Sequence, residues 1–163
     1  MEQGGVRHGG ADRTGGQRDG AVHGATSEPE ATLAERMGIK ILELSAERVV
    51  GTMPVAGNTG STLAGGALHS GAAGLLAETL GSSGAAVHGG PDRSAVTIEV
   101  NATHHRPADT EVTGVATRVH GGSTLATYDV EITDASGRRV CTARLTCRLH
   151  DRRAEDPGDG EGT

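Results

Sequence analysis

The stretch ALHSGAAGLLAETLGS, residues 67–82, sets the tightest limit on how this chain folds. Its residues recur at helical spacing, with Leu68, Ala72, Leu75, Leu76, Thr79 and Leu80 on one broad stripe. Its Gly and Ala content gives weak intrinsic propensity, because Gly costs ~1 kcal/mol relative to Ala in a helix interior. A helix of this kind draws its stability from packing, and its small residues allow a sheet to come close. The fold must therefore supply that sheet.

Four segments downstream have the two-residue period of strands. In SAVTIEVNAT, Val96, Ile98, Val100 and Ala102 are expected on one face, with Thr97, Glu99, Asn101 and Thr103 on the other. TEVTGVATRV follows. TLATYDVEIT alternates Ala126, Tyr128, Val130 and Ile132 with polar residues. RRVCTARLTCRLH places Cys141, Ala143, Leu145, Cys147 and Leu149 together. The joins HGGS and DASG read as hairpin turns. Upstream, IKILELS and ERVVGTMPV read as two strands split by a turn near Ala46. SEPE reads as a capping box, Ser27 with Glu30, opening a short helix to Met37. The order is helix, two strands, long helix, four strands. One long helix with an antiparallel sheet is an α+β domain.

The 163 residues argue for one domain, expected over 27–150. With one Tyr and no Phe or Trp, the core must come from Val, Leu, Ile, Ala and Met. Net charge is −6 with both signs mixed, which argues against a nucleic-acid partner. No apolar run approaches the ~20 residues that span a bilayer. Residues 1–26 and 151–163 have too little apolar content to offset ordering entropy and are expected to be disordered tails. MEQGGVRHGGADRTGG lacks the apolar stretch of a secretory signal. Cys141 and Cys147 lie roughly 20 Å apart along one strand and cannot bond within it. Two core thiols in a cytoplasmic protein are expected.

LHSGAAGLLAETLGS, IEVNATHHRPAD and the order of elements together resemble the hotdog-fold acyl-CoA thioesterases. The branch is that of the 4-hydroxybenzoyl-CoA, 1,4-dihydroxy-2-naphthoyl-CoA and phenylacetate-pathway enzymes, and the likeness covers about residues 33–149. The resemblance implies an antiparallel sheet wrapped around one long central helix, with a homodimer or homotetramer as the assembly. It also implies an acyl- or aryl-CoA substrate, hydrolysed to free acid and CoA, and no cofactor beyond the CoA that the substrate carries. The family pattern is His-Gly-Gly at the helix start and an acid nine residues after the His. His69, Ser70, Gly71 and Glu78 fall in it, with Ser70 replacing the first Gly. Ser82 occupies the place of a Ser or Thr one turn after the acid. Where relatives carry Gln or Asn six residues before the His, this chain has Leu63, which has no hydrogen bond to offer. Asn58 or Thr62 are the candidate substitutes. Leu63 also keeps open the alternative of a hotdog protein that binds CoA thioesters or a partner without hydrolysis.

The chemistry needs these groups. Negative charge grows on a thioester carbonyl oxygen under attack, and the unpaired N–H groups of a helix N-terminus suit it. Ser70 and Gly71 offer such groups. Glu78 has no Lys or Arg from Ala67 to Pro91. It would act as nucleophile, through a mixed anhydride, or as general base on water. His69 is expected to line the site, and Ser82 shares a face with Glu78. For the CoA moiety the candidates are His104 and Arg106, whose fork suits phosphate, and the small loop Gly121, Gly122 and Ser123. His104 and His105 point to opposite faces and make a poor joint metal site.

Overall fold

In a computed structural model of the chain, residues 30–60 and 65–152 are described. The first helix, α1 (Leu33–Arg36), is one turn. Thr32 caps it: its hydroxyl accepts from the Glu35 N–H, and the Glu35 carboxylate accepts from the Thr32 N–H at 2.7 Å. This capping box replaces the expected Ser27–Glu30 pair, of which Ser27 lies outside the described residues. Thr32 and Glu35 have the same spacing and stand directly at the helical residues.

The strands β1 (Lys40–Leu44) and β2 (Arg48–Met53) precede the long helix α2 (Ser70–Gly89). Then come β3 (Arg93–His104), β4 (Val112–Gly121), β5 (Leu125–Asp134) and β6 (Arg139–Asp151). All pairings are antiparallel, in the order β1-β2-β4-β5-β6-β3. Helix α2 touches all six strands. This is the hotdog arrangement, a sheet wrapped around one helix. The expected tails lie outside the described residues, except for Asp151, which ends β6, and Arg152, whose N–H donates to the Asp92 carbonyl.

Helix α2 runs past the expected end at Ser82 to Gly89. The added two turns, about seven residues, include Ser83, Gly84 and Gly89, so propensity gives no warning of them. Packing holds them instead. A Cβ on Gly81 would overlap the Leu145 side chain, and one on Gly84 would lie 2.7 Å from Tyr128 Cε1. On the sheet side, Gly51 and Gly114 are cross-strand partners, and Leu80 methyls occupy the space their side chains would fill. The helix sits close because both surfaces lack Cβ atoms at the contact. Gly81→Ala therefore tests packing against propensity. Helix preference offers ~1 kcal/mol in favour of Ala. Overpacking against a buried leucine costs about 1–3 kcal/mol. The melting temperature is expected to fall; a rise in a thermal melt would mean that the helix has room to move.

The faces of β3 differ from strict alternation. Thr97 opposes Cys147 and Glu99 opposes Thr146, so Ile98 is an extra residue in a bulge. Ala95 and Thr97 share the inner face with Leu149 and Cys147 before it, and Val100 and Ala102 share it with Leu145 and Ala143 after it, though Val100 stays largely exposed at the sheet edge. Thr97 thus leaves the outer face on which Glu99, Asn101 and Thr103 stay, and Val96 leaves the inner one. A bulge shifts the pleat by one residue, which no period of two reveals. The two cysteines are free and buried on the inner face of β6, as core residues.

Candidate active site

The start of α2 is tied down by main-chain bonds around Asn58, including Leu68 N–H to the Ala108 carbonyl at 2.8 Å. Asn58 Nδ2 donates to the Met37 and Pro54 carbonyls, both at 2.8 Å, joining the end of α1 to the end of β2. The Asn58 main-chain carbonyl accepts from the His69 N–H at 2.9 Å. Both Nδ2 protons of Asn58 are therefore committed to holding the fold. Thr62 and Leu63 lie outside the described residues.

His69 is the N-cap, with φ −66° and ψ 134°. Its Nδ1 accepts from the Gly71 N–H at 2.9 Å. That bond requires Nδ1 to be bare, so the neutral ring has its proton on Nε2. The cap alters the expected oxyanion site. Of the two amides, that of Gly71 is taken by the imidazole, while the Ser70 N–H has no hydrogen-bond partner among the described residues. Ser70 is exposed at the positive end of the helix dipole, where negative charge is favoured.

Glu78 lies eight residues along α2 from Ser70, an axial rise of ~12 Å. It is half-buried. No Lys, Arg or His forms an ion pair with it among the described residues. Its Oε1 accepts from the Thr97 hydroxyl at 2.9 Å. Ser82, one turn on, donates to the Thr79 carbonyl at 3.3 Å and does not bond the carboxylate. The hydroxyl that serves Glu78 comes from the sheet instead. Sequence reasoning missed Thr97 because alternation places it on the outer face.

The CoA candidates separate. A cleft of about 310 Å³ is lined by Leu68, Ser70, His104, His105 and Arg106, among others. It brings His104 and Arg106 next to the start of α2, and Arg106 is exposed there with no ion pair among the described residues. His105 Nε2 lies 2.9 Å from Thr142 Oγ1 on the outer face, whereas His104 opposes Cys141 on the inner one. The Gly121–Ser123 loop lies at the other end of α2, where the Gly122 carbonyl is 3.1 Å from His88 Nε2. From Ser70 to His88 the helix rises ~27 Å. The Gly122 N–H closes the hairpin on the Leu125 carbonyl at 2.8 Å, so that amide is not free for a phosphate. Tyr128 is fully buried, with its hydroxyl donating to the Ala46 carbonyl at 2.6 Å, and burial pushes it up to about 12. It is core and stacks on no substrate ring.

The thioesterase superfamily profile matches residues 65–141, which span α2 and Glu78. Proofreading thioesterase EntH of Cronobacter turicensis is 37% identical over 116 residues, 71% of this chain and 83% of the relative. A solved thioesterase from Haemophilus influenzae has a TM-score of 0.67 at 28% identity, covering 72% of this chain and 82% of that one. A thioesterase from Pseudomonas aeruginosa, solved as a glutamine-to-alanine variant, has a TM-score of 0.67 at 31% identity, covering 74% and 86%.

Proposed function

The chain belongs to the thioesterase superfamily and is a thioester hydrolase, and from that premise we propose that it cleaves an acyl-CoA to free acid and CoA with Glu78 as its catalytic carboxylate. The observation that carries this reading is the state of Glu78. It is half-buried in mid-helix without a cation, and its recorded contact is one neutral hydroxyl. A carboxylate left unneutralised in that place is available either to attack the thioester carbonyl or to take a proton from water.

The Ser70 N–H is the oxyanion donor in this reading. It has no competing acceptor among the described residues, and it lies at the helix end that favours an anion. His69 shapes the entrance: its Nδ1 holds the first turn, and its Nε2–H is left for the substrate. Arg106 and His104 take the CoA phosphates beside the cleft at Ser70. CoA belongs to the substrate, and the carboxylate and amides need no metal or other cofactor.

One copy of α2 cannot complete the site. A general base must come within about 3 Å of the atoms it serves. The rise of ~12 Å between Ser70 and Glu78 separates the two within one helix. The acid of one subunit and the amide of another are the working pair.

The test is turnover of a panel of short, long and aryl acyl-CoAs, followed by release of free thiol. At least one substrate is expected to reach kcat/KM within the ~10⁴–10⁸ M⁻¹s⁻¹ of ordinary enzymes, before and after treatment with EDTA. Absence of thiol release from the whole panel would remove the CoA assignment. Loss of activity on chelation would remove the cofactor-free one.

A further inference from the structure

The Glu78 carboxylate is held from the sheet, and the hold depends on a defect in β3. The register slips at Ile98, so that Thr97 shares the inner face with Cys147. Without that bulge the Thr97 hydroxyl would stand on the outer face with Glu99 and Asn101, a sheet's thickness from the helix. Bulges re-aim side chains in this way. With it, Thr97 Oγ1 lies 2.9 Å from Glu78 Oε1 and 3.5 Å from Cys147 Sγ.

The direction of these bonds follows from proton counting. An ionised carboxylate only accepts, so the single Thr97 proton goes to Glu78. The Thr97 oxygen is then left to accept, and Cys147 is the donor. Burial pushes the Cys147 thiol up, outweighing a lowering by the Thr97 hydrogen bond and helped by the Glu78 charge, which keeps its proton in place. Cys147 is fully buried in the core and cannot swing away. Thr97 is β-branched and stiff at χ1. The chain from thiol to hydroxyl to carboxylate is anchored at both ends, one in the core and one in the helix. Nothing on α2 competes with it, since Ser82 and Ser83 both donate to the Thr79 carbonyl.

We propose that Thr97 is the positioning residue of Glu78. By holding Oε1 it fixes the carboxylate plane and leaves Oε2 facing the thioester. The role rests on the reading of Glu78 as the catalytic carboxylate, and Thr97 itself touches no reacting atom. A free glutamate side chain samples several rotamers, and each turnover would otherwise have to wait for the right one.

The experiment uses the full chain with Thr97→Val, Thr97→Ser and Thr97→Ala, each also combined with Glu78→Gln, and reads kcat and KM separately beside a thermal melt. Valine keeps the shape and removes the hydroxyl. Its kcat is expected to fall by about tenfold or more, the worth of a hydrogen bond to a charged group, with KM within about twofold. Serine is expected to restore most of the rate. Alanine repeats the loss without any branched methyl to clash. In the Glu78→Gln background none of the changes lowers the residual rate further, because no carboxylate remains to be held. Wild-type kcat in the valine and alanine variants, a serine variant as slow as valine, or a change confined to KM would each overturn the positioning role. A Glu78→Gln enzyme that stays active would instead overturn the reading of Glu78. A dead Glu78→Gln with a fully active Thr97→Val leaves that reading standing and removes only Thr97.

Discussion

Glu78→Gln is expected to lower thioester turnover by ~10²–10⁴-fold, the usual contribution of a positioned acid–base group. It is expected to leave the fold as it is. The side chain is half-buried, forms no ion pair among the described residues and has one recorded contact, the Thr97 hydroxyl. A glutamine carbonyl can accept the same bond at the same distance. Removing the charge therefore withdraws the nucleophile or base and little else. The melting temperature should match the unmodified protein, which separates chemistry from stability. Activity within about threefold of wild type, some 0.65 kcal/mol of barrier, would sink the catalytic assignment.

Most of the fold was legible because its signals are local. The strands announce themselves by period, and the order of elements leaves few ways to bury α2. What escaped depends on contacts between distant segments. The last turns of α2 include Ser83, Gly84 and Gly89, and contacts with distant strand residues such as Tyr128 at Gly84 and Gly122 at His88 explain why they stay helical. The bulge at Ile98 has no marker in SAVTIEVNAT, since Ile is not the glycine that often flags one. Missing it placed Thr97 on the wrong face and left Ser82 as the hydroxyl for Glu78. The same limit applied at the helix start. His69, Ser70 and Gly71 were visible as a motif, but whose amide is free follows from the imidazole folding back on Gly71. At the hairpin Gly121–Ser123 composition suggested a phosphate loop, and the Gly122 bond to Leu125 makes it a turn.

Ser70→Pro is expected to cost ~10²–10³-fold in kcat, the loss found when one oxyanion donor is removed. The change is specific to the amide. Proline is favoured at the first helical position, where its missing N–H had no helical acceptor. It demands an extended residue before it, and His69 already has φ −66° and ψ 134°. The helix should form as before, without the one donor. This variant also tests the shared site. Among the described residues, strand β3 is an edge of 12 residues, against 5 for the other edge, β1. It exposes Val96 at 47%, Ile98 at 57% and Val100 at 42%. Such an edge is a template for a second copy. It runs from the end of α2 back toward its start, so an antiparallel copy would set two α2 helices side by side in opposite directions. The proposed two-subunit site requires that pairing to bring each Glu78 to the other subunit's Ser70. Ser70→Pro and Glu78→Gln are each expected to be nearly inactive alone. Unfolded together and refolded, they form mixed dimers in which one of the two sites has both native halves. Random pairing about a two-fold axis returns about a quarter of wild-type activity. The mixture is expected to recover that fraction, and light scattering to give a dimer or a multiple of it. A mixture as inactive as its components, or an active monomer of 16.4 kDa, would place the acid and the amide in one chain and end the two-subunit site.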